Sequence, residues 1–440
     1  MKLINLALLT LSALALDLSF LDTIEPSEVK ELIDYLLPVC VVGTGLSGLT
    51  IADRLTQKGY NVKLFEKEDR VGGKVNTFRK DSQVYNMGAA ILSEYHLKTF
   101  ELLNSAGINY TQIDKSYSGG FDVNSGVHSK FDYYSKDRGT IGLIERYSEI
   151  RKRLNVDPGY LNASPELFET TTNWLKTNEL EGLVKFASHF LTTQGYGNVN
   201  TTPALYFIQL MDIIGDVAKP LYHIPSGIDQ LTNYMAKDKN VILNANITKI
   251  KRNGYFSTIK YTTNNRNRSQ LCSNIVLAFP PHTKDVKNLV PDLSEEEKIT
   301  NLPYTGFYFS ALLPPQNPPY MGDGIPMVFY NQTNEAFVSY HWIEGEYDTR
   351  PTDEESKMFE NRVKSLFQKI NPGPGSELAL HAKSWTYFPH VTVESLKNGF
   401  YKKFDEIQGK KGLYYATPLL GFEIMESTIT SAEYLAEKFF

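Results

Sequence analysis

The residues with the clearest capacity for chemistry are Gly43-Thr44-Gly45-Leu46-Ser47-Gly48 and Glu66. The glycines follow a G-x-G-x-x-G pattern, and Glu66 lies 21 residues beyond Gly45. Each glycine has its own task in such a turn. Gly43 allows a tight bend, Gly45 lets the backbone approach a diphosphate, and Gly48 lets a helix pack closely on a strand. The N-terminus of the helix that follows the turn, over Leu49 to Lys58, offers free N–H groups and a partial positive charge to phosphates. The Glu66 carboxylate can accept from both hydroxyls of an adenosine ribose, and like-charge repulsion there argues against a 2′-phosphate. The pattern points to a dinucleotide without separating a nicotinamide from a flavin. The plainer alternative is a glycine turn in an ordinary α/β unit.

The flanking elements suit that turn. Pro38 to Val42 is a continuous apolar run, as in a strand buried on both faces. Leu49, Ile51, Ala52 and Leu55 have helical spacing up to Gly59, and Asn61 to Glu66 reads as a second strand, which completes a βαβ unit. A short helix is expected before it, over 27–37. From about 140 to 222 the pattern is helical, with amphipathic segments over 142–153, 165–174, 179–191 and 203–214. Strands are expected over 241–251, 257–262 and 271–279. The aromatic, alternating stretch 305–341 suggests a sheet. A charged helix over 351–370, a strand over 412–416 and a last helix near 427–439 complete the chain.

Composition narrows the function. The 440 residues carry 45 basic and 50 acidic side chains, a formal charge of −5, and 42% are hydrophobic. That excludes disorder as the main state. With no long Lys/Arg block, it also excludes a nucleic-acid binder led by electrostatics. The two cysteines, Cys40 and Cys272, exclude a multi-thiolate zinc site and a disulfide framework, and their apolar settings suggest two buried thiols. No metal site is expected. Met1-Lys2 followed by the apolar run Leu3 to Leu16, with the small-x-small triplet Ala13-Leu14-Ala15, reads as a signal peptide over 1–15 and hence a secreted protein. A buried N-terminal helix is the alternative. No later segment is long and apolar enough for a membrane span. Six glycosylation sequons begin at Asn109, Asn162, Asn200, Asn246, Asn267 and Asn331, which supports secretion only weakly.

The segment after Glu66 reads E-x-x-x-R-x-G-G-K, through Lys67, Arg70, Gly72, Gly73 and Lys74. Tyr85-Asn86-Met87-Gly88-Ala89-Ala90, Ile224-Pro225-Ser226-Gly227, Ala278-Phe279-Pro280-Pro281 and Tyr414-Tyr415-Ala416 follow. In these blocks the chain resembles the flavin-containing amine oxidase superfamily. The resemblance implies an α/β fold: a Rossmann-like FAD-binding domain of glutathione-reductase type, discontinuous over 36–95, 222–285 and 380–440. A second α+β substrate domain would span 96–221 and 286–379, with a helical insertion over about 140–221. It implies FAD held by Gly43, Gly45, Leu46, Ser47, Gly48, Glu66, Lys67, Gly73, Lys74, Gly88, Ala89, Ala90, the Ile247 backbone, Ala416, Thr417 and Met425. FAD would be non-covalent, since the C-terminal region lacks the tethering cysteine of monoamine oxidases.

Gln194-Gly195-Tyr196-Gly197, Ser384-Trp385-Thr386-Tyr387-Phe388-Pro389-His390-Val391 and Gln408-Gly409-Lys410-Lys411 resemble the polyenoic fatty acid isomerase branch. That implies flavin hydride transfer on a hydrophobic, unsaturated, lipid-like substrate, with an apolar tunnel and no Ser-His-Asp set. The rival expectation is an amine or secondary-metabolite oxidase that yields hydrogen peroxide. The catalytic group is then the flavin itself, with Tyr387, Phe388 and Tyr415 as candidates beside it. Trp385, Tyr387 and Phe388 either face flavin and substrate or fill a strand core. Tyr196 and Phe190 either shape a tunnel or pack helices. His390 is either a proton relay or a hydrogen-bonded structural histidine. The run Glu295-Glu296-Glu297 suggests a solvated helix face. Two departures stand out: Thr417-Pro418 replaces the family's Gly-Glu, and Tyr117-Ser118-Gly119-Gly120-Phe121 lacks the branch's carboxylate-binding arginine.

Overall fold

The computed structural model describes residues 25–113, 119–122, 128–130, 138–215, 219–312, 320–323, 327–331, 337–347, 352–370 and 379–440. The Val39–Val42 strand, apolar throughout, is buried on both faces, as a parallel strand covered on each side must be. It forms the centre of a five-stranded parallel sheet in the order Asn240–Ile242, Val62–Phe65, Val39–Val42, Asn274–Leu277, Leu413–Tyr415. The helix Leu46–Gln57 leaves the first strand and packs against the C-terminal helix Met425–Phe439. Leu49, Ile51, Ala52 and Leu55 are fully buried along its inner side. The expected βαβ unit is therefore present, and the mixed α/β class stands.

A three-stranded antiparallel sheet, Asn246–Arg252, Ser257–Thr263 and Arg266–Cys272, leads into the fourth strand of the parallel sheet. Its second hairpin turns on Asn264 and Asn265, both at positive φ (49° and 57°), the conformation a two-residue hairpin turn requires. A seven-stranded sheet draws its strands from 119–130 and 304–387, in the order Ala379–Tyr387, Tyr304–Leu312, Phe337–Gly345, Met327–Asn331, Tyr320–Asp323, Gly119–Asp122, His128–Lys130. The described parts of the alternating stretch 305–341 thus form strands as expected. Helices Arg138–Arg151, Thr171–Thr177, Val184–Thr193 and Ala204–Ile214 make up the helical region.

Several expectations need correction. The run 241–251 is two strands of different sheets, separated at Leu243–Ala245, where Asn244 takes a φ of 52°. The run 271–279 is likewise divided at Ser273. A run of strand-forming residues shows extended chain, but it does not show where the chain changes partners. Over 165–174 the chain makes a short 3-10 turn, Pro165–Leu167, before a helix that begins at Thr171, capped by the Thr170 side chain. Over 179–191 the positive φ of Glu179 (56°) and a turn at Glu181–Leu183 delay the helix to Val184. Glu295–Glu297 is a 3-10 turn rather than a solvated helix face: Glu297 is buried and paired with the fully buried Arg252 side chain, while Glu295 and Glu296 face solvent.

The cysteines are not thiols. Cys40 and Cys272 form a disulfide, with Cα atoms 5.7 Å apart and both residues fully buried. Cys40 is inside the central strand and Cys272 ends the strand that feeds its neighbour, so the bond fastens the two sheets at the base of the glycine turn. Spacing alone does not bring together residues 232 positions apart. Among the described residues, no helix is long and apolar enough to cross a membrane.

Candidate functional site

The glycine turn follows directly from the central strand. Gly43 has a φ of +105°, and a Cβ there would lie 2.6 Å from the Ala278 carbonyl. A Cβ at Gly48 would lie 2.1 Å from the Gly43 carbonyl, so only glycine lets the helix lie this close to the turn. Gly45 differs: its Cβ direction meets no atom within 4 Å. Across from it, a Cβ at Gly73 would approach the Gly45 Cα at 3.3 Å. An open backbone edge therefore faces the N-terminus of Leu46–Gln57, whose first N–H groups have no partner within the helix. That is the shape and polarity a diphosphate needs.

Glu66 directly follows the second strand and is buried. Its carboxylate accepts from Thr44 N (2.9 Å), Thr44 Oγ1 (2.7 Å) and Glu68 N (2.9 Å), which fix it beside the glycine turn. Ala245 N donates to the Glu66 carbonyl at 2.7 Å, so the strand that carries Ile247 starts just beyond Glu66. Arg70 donates to the Gly73 carbonyl (2.7 Å) and braces the double-glycine bend, where Gly72 and Gly73 have φ of 108° and 54°. Lys67 is exposed at the rim. Ser47 Oγ donates to the Ala416 carbonyl (2.7 Å), which ties the turn to the last strand. Thr417 turns its hydroxyl to Leu419 N and Met425 opens the terminal helix, both buried.

The Gly88 block adjoins the Lys74 segment through backbone. A Cβ at Gly88 would lie 1.8 Å from the Lys74 carbonyl, and Ala89 N donates to that same oxygen at 3.3 Å, with Ala90 next in the chain. Asn86 joins this block to Ile224–Gly227: its Nδ2 donates to the Ile224 carbonyl (3.1 Å) and its Oδ1 accepts from Ile228 N (2.9 Å).

Lys74 leads into a second, aromatic region. Its ammonium pairs with the Glu423 carboxylate and stands 5.4 Å above the Tyr387 ring. Burial lowers the Lys74 ammonium to about 7, and the carboxylate contact opposes that shift. Glu423 also accepts from Phe388 N on its carboxylate, and from Tyr196 Oη on its carbonyl at 2.9 Å. Tyr387 Oη donates to Tyr196 Oη at 2.7 Å. Tyr196 packs on Tyr387, Phe388 and Phe422 with centroids 4.4–5.4 Å apart. Phe388 is held at a φ of 48°, an unusual conformation for a bulky residue. Such strain persists where several contacts fix it, and it marks functional sites.

The structure brings Tyr387, Phe388 and Tyr196 together, but it separates other candidates from them. Tyr415 packs instead against Phe404, at 5.9 Å. Trp385 packs on a neighbouring cluster of Tyr85, Met87 and Trp342, which Tyr387 also touches. Phe190 packs on Phe186 within its own helix, at 4.5 Å. His390 donates from Nδ1 to the Phe388 carbonyl (2.8 Å) and stacks on the Phe388 ring (4.4 Å), while burial pushes its imidazole down to about 4. A ring that stays neutral and supports Phe388 is structural. Sequence reasoning does not find Glu423. Its only signal is an acid a few residues beyond Thr417-Pro418, where the family pattern breaks.

Comparisons with known proteins give the family and the fold. Residues 46–309 match the family of flavin containing amine oxidoreductases. An L-amino-acid oxidase of Pseudechis australis is 26% identical over 264 residues, which cover 54% of this chain and 50% of that protein. A 4,4′-diapolycopene oxygenase of Methylomonas sp is 44% identical over 126 residues, or 28% of this chain and 23% of that protein. The chain thus spans about half the length, or less, of these curated relatives. Among solved structures, a CLA-producing fatty acid isomerase from P. acnes superposes with a TM-score of 0.78 at 19% identity, covering 92% of this chain and 99% of that one.

Proposed function

The chain belongs to the flavin-containing amine oxidoreductases, and from that premise we propose that it is an FAD-dependent enzyme acting on a hydrophobic, unsaturated, lipid-like molecule. The open edge at Gly45 and Gly73 suits the diphosphate, the fixed Glu66 carboxylate suits the ribose, and the Ile247 backbone suits the adenine. Lys74, Gly88, Ala89, Ala90, Ala416, Thr417 and Met425 complete the cradle. FAD bound there supplies hydride acceptance and return. The chain's own part is to orient the substrate and exclude water, and Tyr196, Tyr387, Phe388 and Phe422 suit both tasks.

The single observation behind a greasy substrate is the partnership of Lys74. The cation that touches the aromatic group is already neutralised by Glu423, so the group offers rings rather than a charge for a polar headgroup. In the test, the flavin-loaded protein is mixed with a linoleate-type lipid without oxygen. Transient flavin bleaching that reverses without oxygen as the hydride returns, a conjugated-diene absorbance and no peroxide on readmitting air are the expected results. Stoichiometric peroxide from amines or L-amino acids, with no diene from lipids, would reverse the assignment. The similarity to the L-amino-acid oxidase favours that oxidase as a second reading.

On the same reading, the chain divides into a cofactor part and a substrate part where the sequence suggests, and it enters the secretory route. The apolar run Leu3 to Leu16 suits a leader, and the Cys40–Cys272 disulfide belongs to an oxidising compartment.

A further inference from the structure

We propose that Asn246 and Asn267 carry N-linked oligosaccharides, one on each edge of the three-stranded sheet; this rests on the secretory reading above. Asn246 lies directly opposite Thr262, and Thr262 lies directly opposite Asn267, so the three residues form one row across the sheet. Residues directly opposite in antiparallel strands share a face. The neighbouring row runs the other way: Ile247 faces Tyr261, whose side chain is buried against Phe65. The sequon row therefore points outward. Asn246 and Thr248 of the first sequon are exposed, as are Asn267 and Ser269 of the second. Two strand spacings put the asparagines roughly 10 Å apart.

Thr248 Oγ1 donates to the Lys260 carbonyl at 3.2 Å within this sheet, whereas at the other described sequons the side chains bond to more distant parts of the fold. Asn200 accepts from Thr172 Oγ1 at 2.7 Å, and its Thr202 is buried and donates to the Tyr196 carbonyl. Ser164, of the Asn162 sequon, accepts from Asn155 N at 2.9 Å. Thr111, of the Asn109 sequon, is bonded to His223 at 2.7 Å. The Asn331 side chain lies outside the described residues.

The position gives the sugars a physical task. Asn246–Arg252 and Arg266–Cys272 are the outer strands of this sheet, and exposed strand edges invite pairing with other chains. The face between them already carries Lys249 directly opposite Lys260, with Lys251 beside them. A bulky, uncharged oligosaccharide at each edge blocks strand addition without adding to that repulsion.

The test uses the full chain, with its own N-terminus, made in a eukaryotic secretory host. Intact mass is read before and after peptide-N-glycosidase, and peptide mapping locates the resulting Asn-to-Asp conversions. Conversion at positions 246 and 267 is expected. The double variant Asn246→Gln with Asn267→Gln should lose both sugar masses, keep its flavin content and self-associate on concentration. A secreted, disulfide-bonded protein with both asparagines unmodified overturns the inference and leaves the secretory reading standing. A chain retained in the cytosol with Cys40 and Cys272 as thiols overturns both. A double variant that stays monomeric overturns the edge-shielding role.

Discussion

The two ends of the candidate site are built from different materials. At the nucleotide end the shape is set by backbone: Gly43, Gly48 and Gly88 exist as glycines because a single Cβ would strike a carbonyl. At the aromatic end the shape is set by side chains from distant segments, with Lys74, Tyr196, Tyr387, Phe388 and Glu423 joined through one carboxylate and one carbonyl. The first end tolerates almost no added atom. The second tolerates small chemical changes, but each member relies on the others. Backbone sites therefore fail abruptly, whereas side-chain sites weaken by degrees as single hydrogen bonds or ring contacts are removed.

The sharpest way to break that contrast is at the glycines. Gly48→Ala should destabilise the fold by about 3 kcal/mol, since its Cβ meets a backbone oxygen that cannot turn aside. Gly45→Ala should leave stability within about 0.5 kcal/mol while FAD affinity drops at least roughly tenfold, or about 1.4 kcal/mol. Urea unfolding and flavin titration check both. Equal loss of stability in the two variants would remove the distinction between packing glycine and cofactor glycine.

Acid tests the aromatic end. The His390 imidazole is held near 4, below its ordinary value of 6.5, so the folded state takes up its proton later than the unfolded chain. Its contribution is complete above pH 6.5 and is lost as pH falls towards 4. Between pH 7.5 and pH 5 that amounts to about 2 kcal/mol. The expected result is a fall in melting temperature over this window that is shallower in His390→Gln, with the remainder from His96, whose imidazole is also held at about 4 by burial. An unchanged slope would remove His390 from the aromatic support. The smallest effect is expected for Tyr196→Phe. Tyr387 keeps an acceptor in the Glu423 carbonyl at 3.3 Å, so the loss should be about 1 kcal/mol with full flavin retention.

The same contrast governs what is legible in the sequence. Gly43 to Gly48, Glu66, Gly73 and Gly88 can be read because a backbone site needs a residue type at a fixed spacing, and the surrounding apolar runs place it. Tyr387, Phe388 and Tyr196 stand out as candidates, but a ring in a strand has the same pattern whether it lines a cavity or fills a core. Tyr415 shows the hazard, since its ring packs on Phe404, away from the Lys74 group. Glu423 is invisible because its partners lie 349 and 35 positions away. The cysteine pair and the broken strands at Asn244 and Ser273 escape for the same reason: a long-range partner leaves no local trace.

The strand order has a consequence for the order of synthesis. The first strand, Val39–Val42, lies between Val62–Phe65 and Asn274–Leu277, and the strand outside the latter is Leu413–Tyr415. One flank of the earliest strand therefore waits for residues made more than 230 positions later. At ribosomal rates that is on the order of ten to fifty seconds. Throughout that interval the glycine turn has only half its frame, and Cys40 has no partner to bond. The nascent chain must be kept from aggregating while it waits, so the yield of active protein should depend on chaperone supply as much as on the finished fold's own stability.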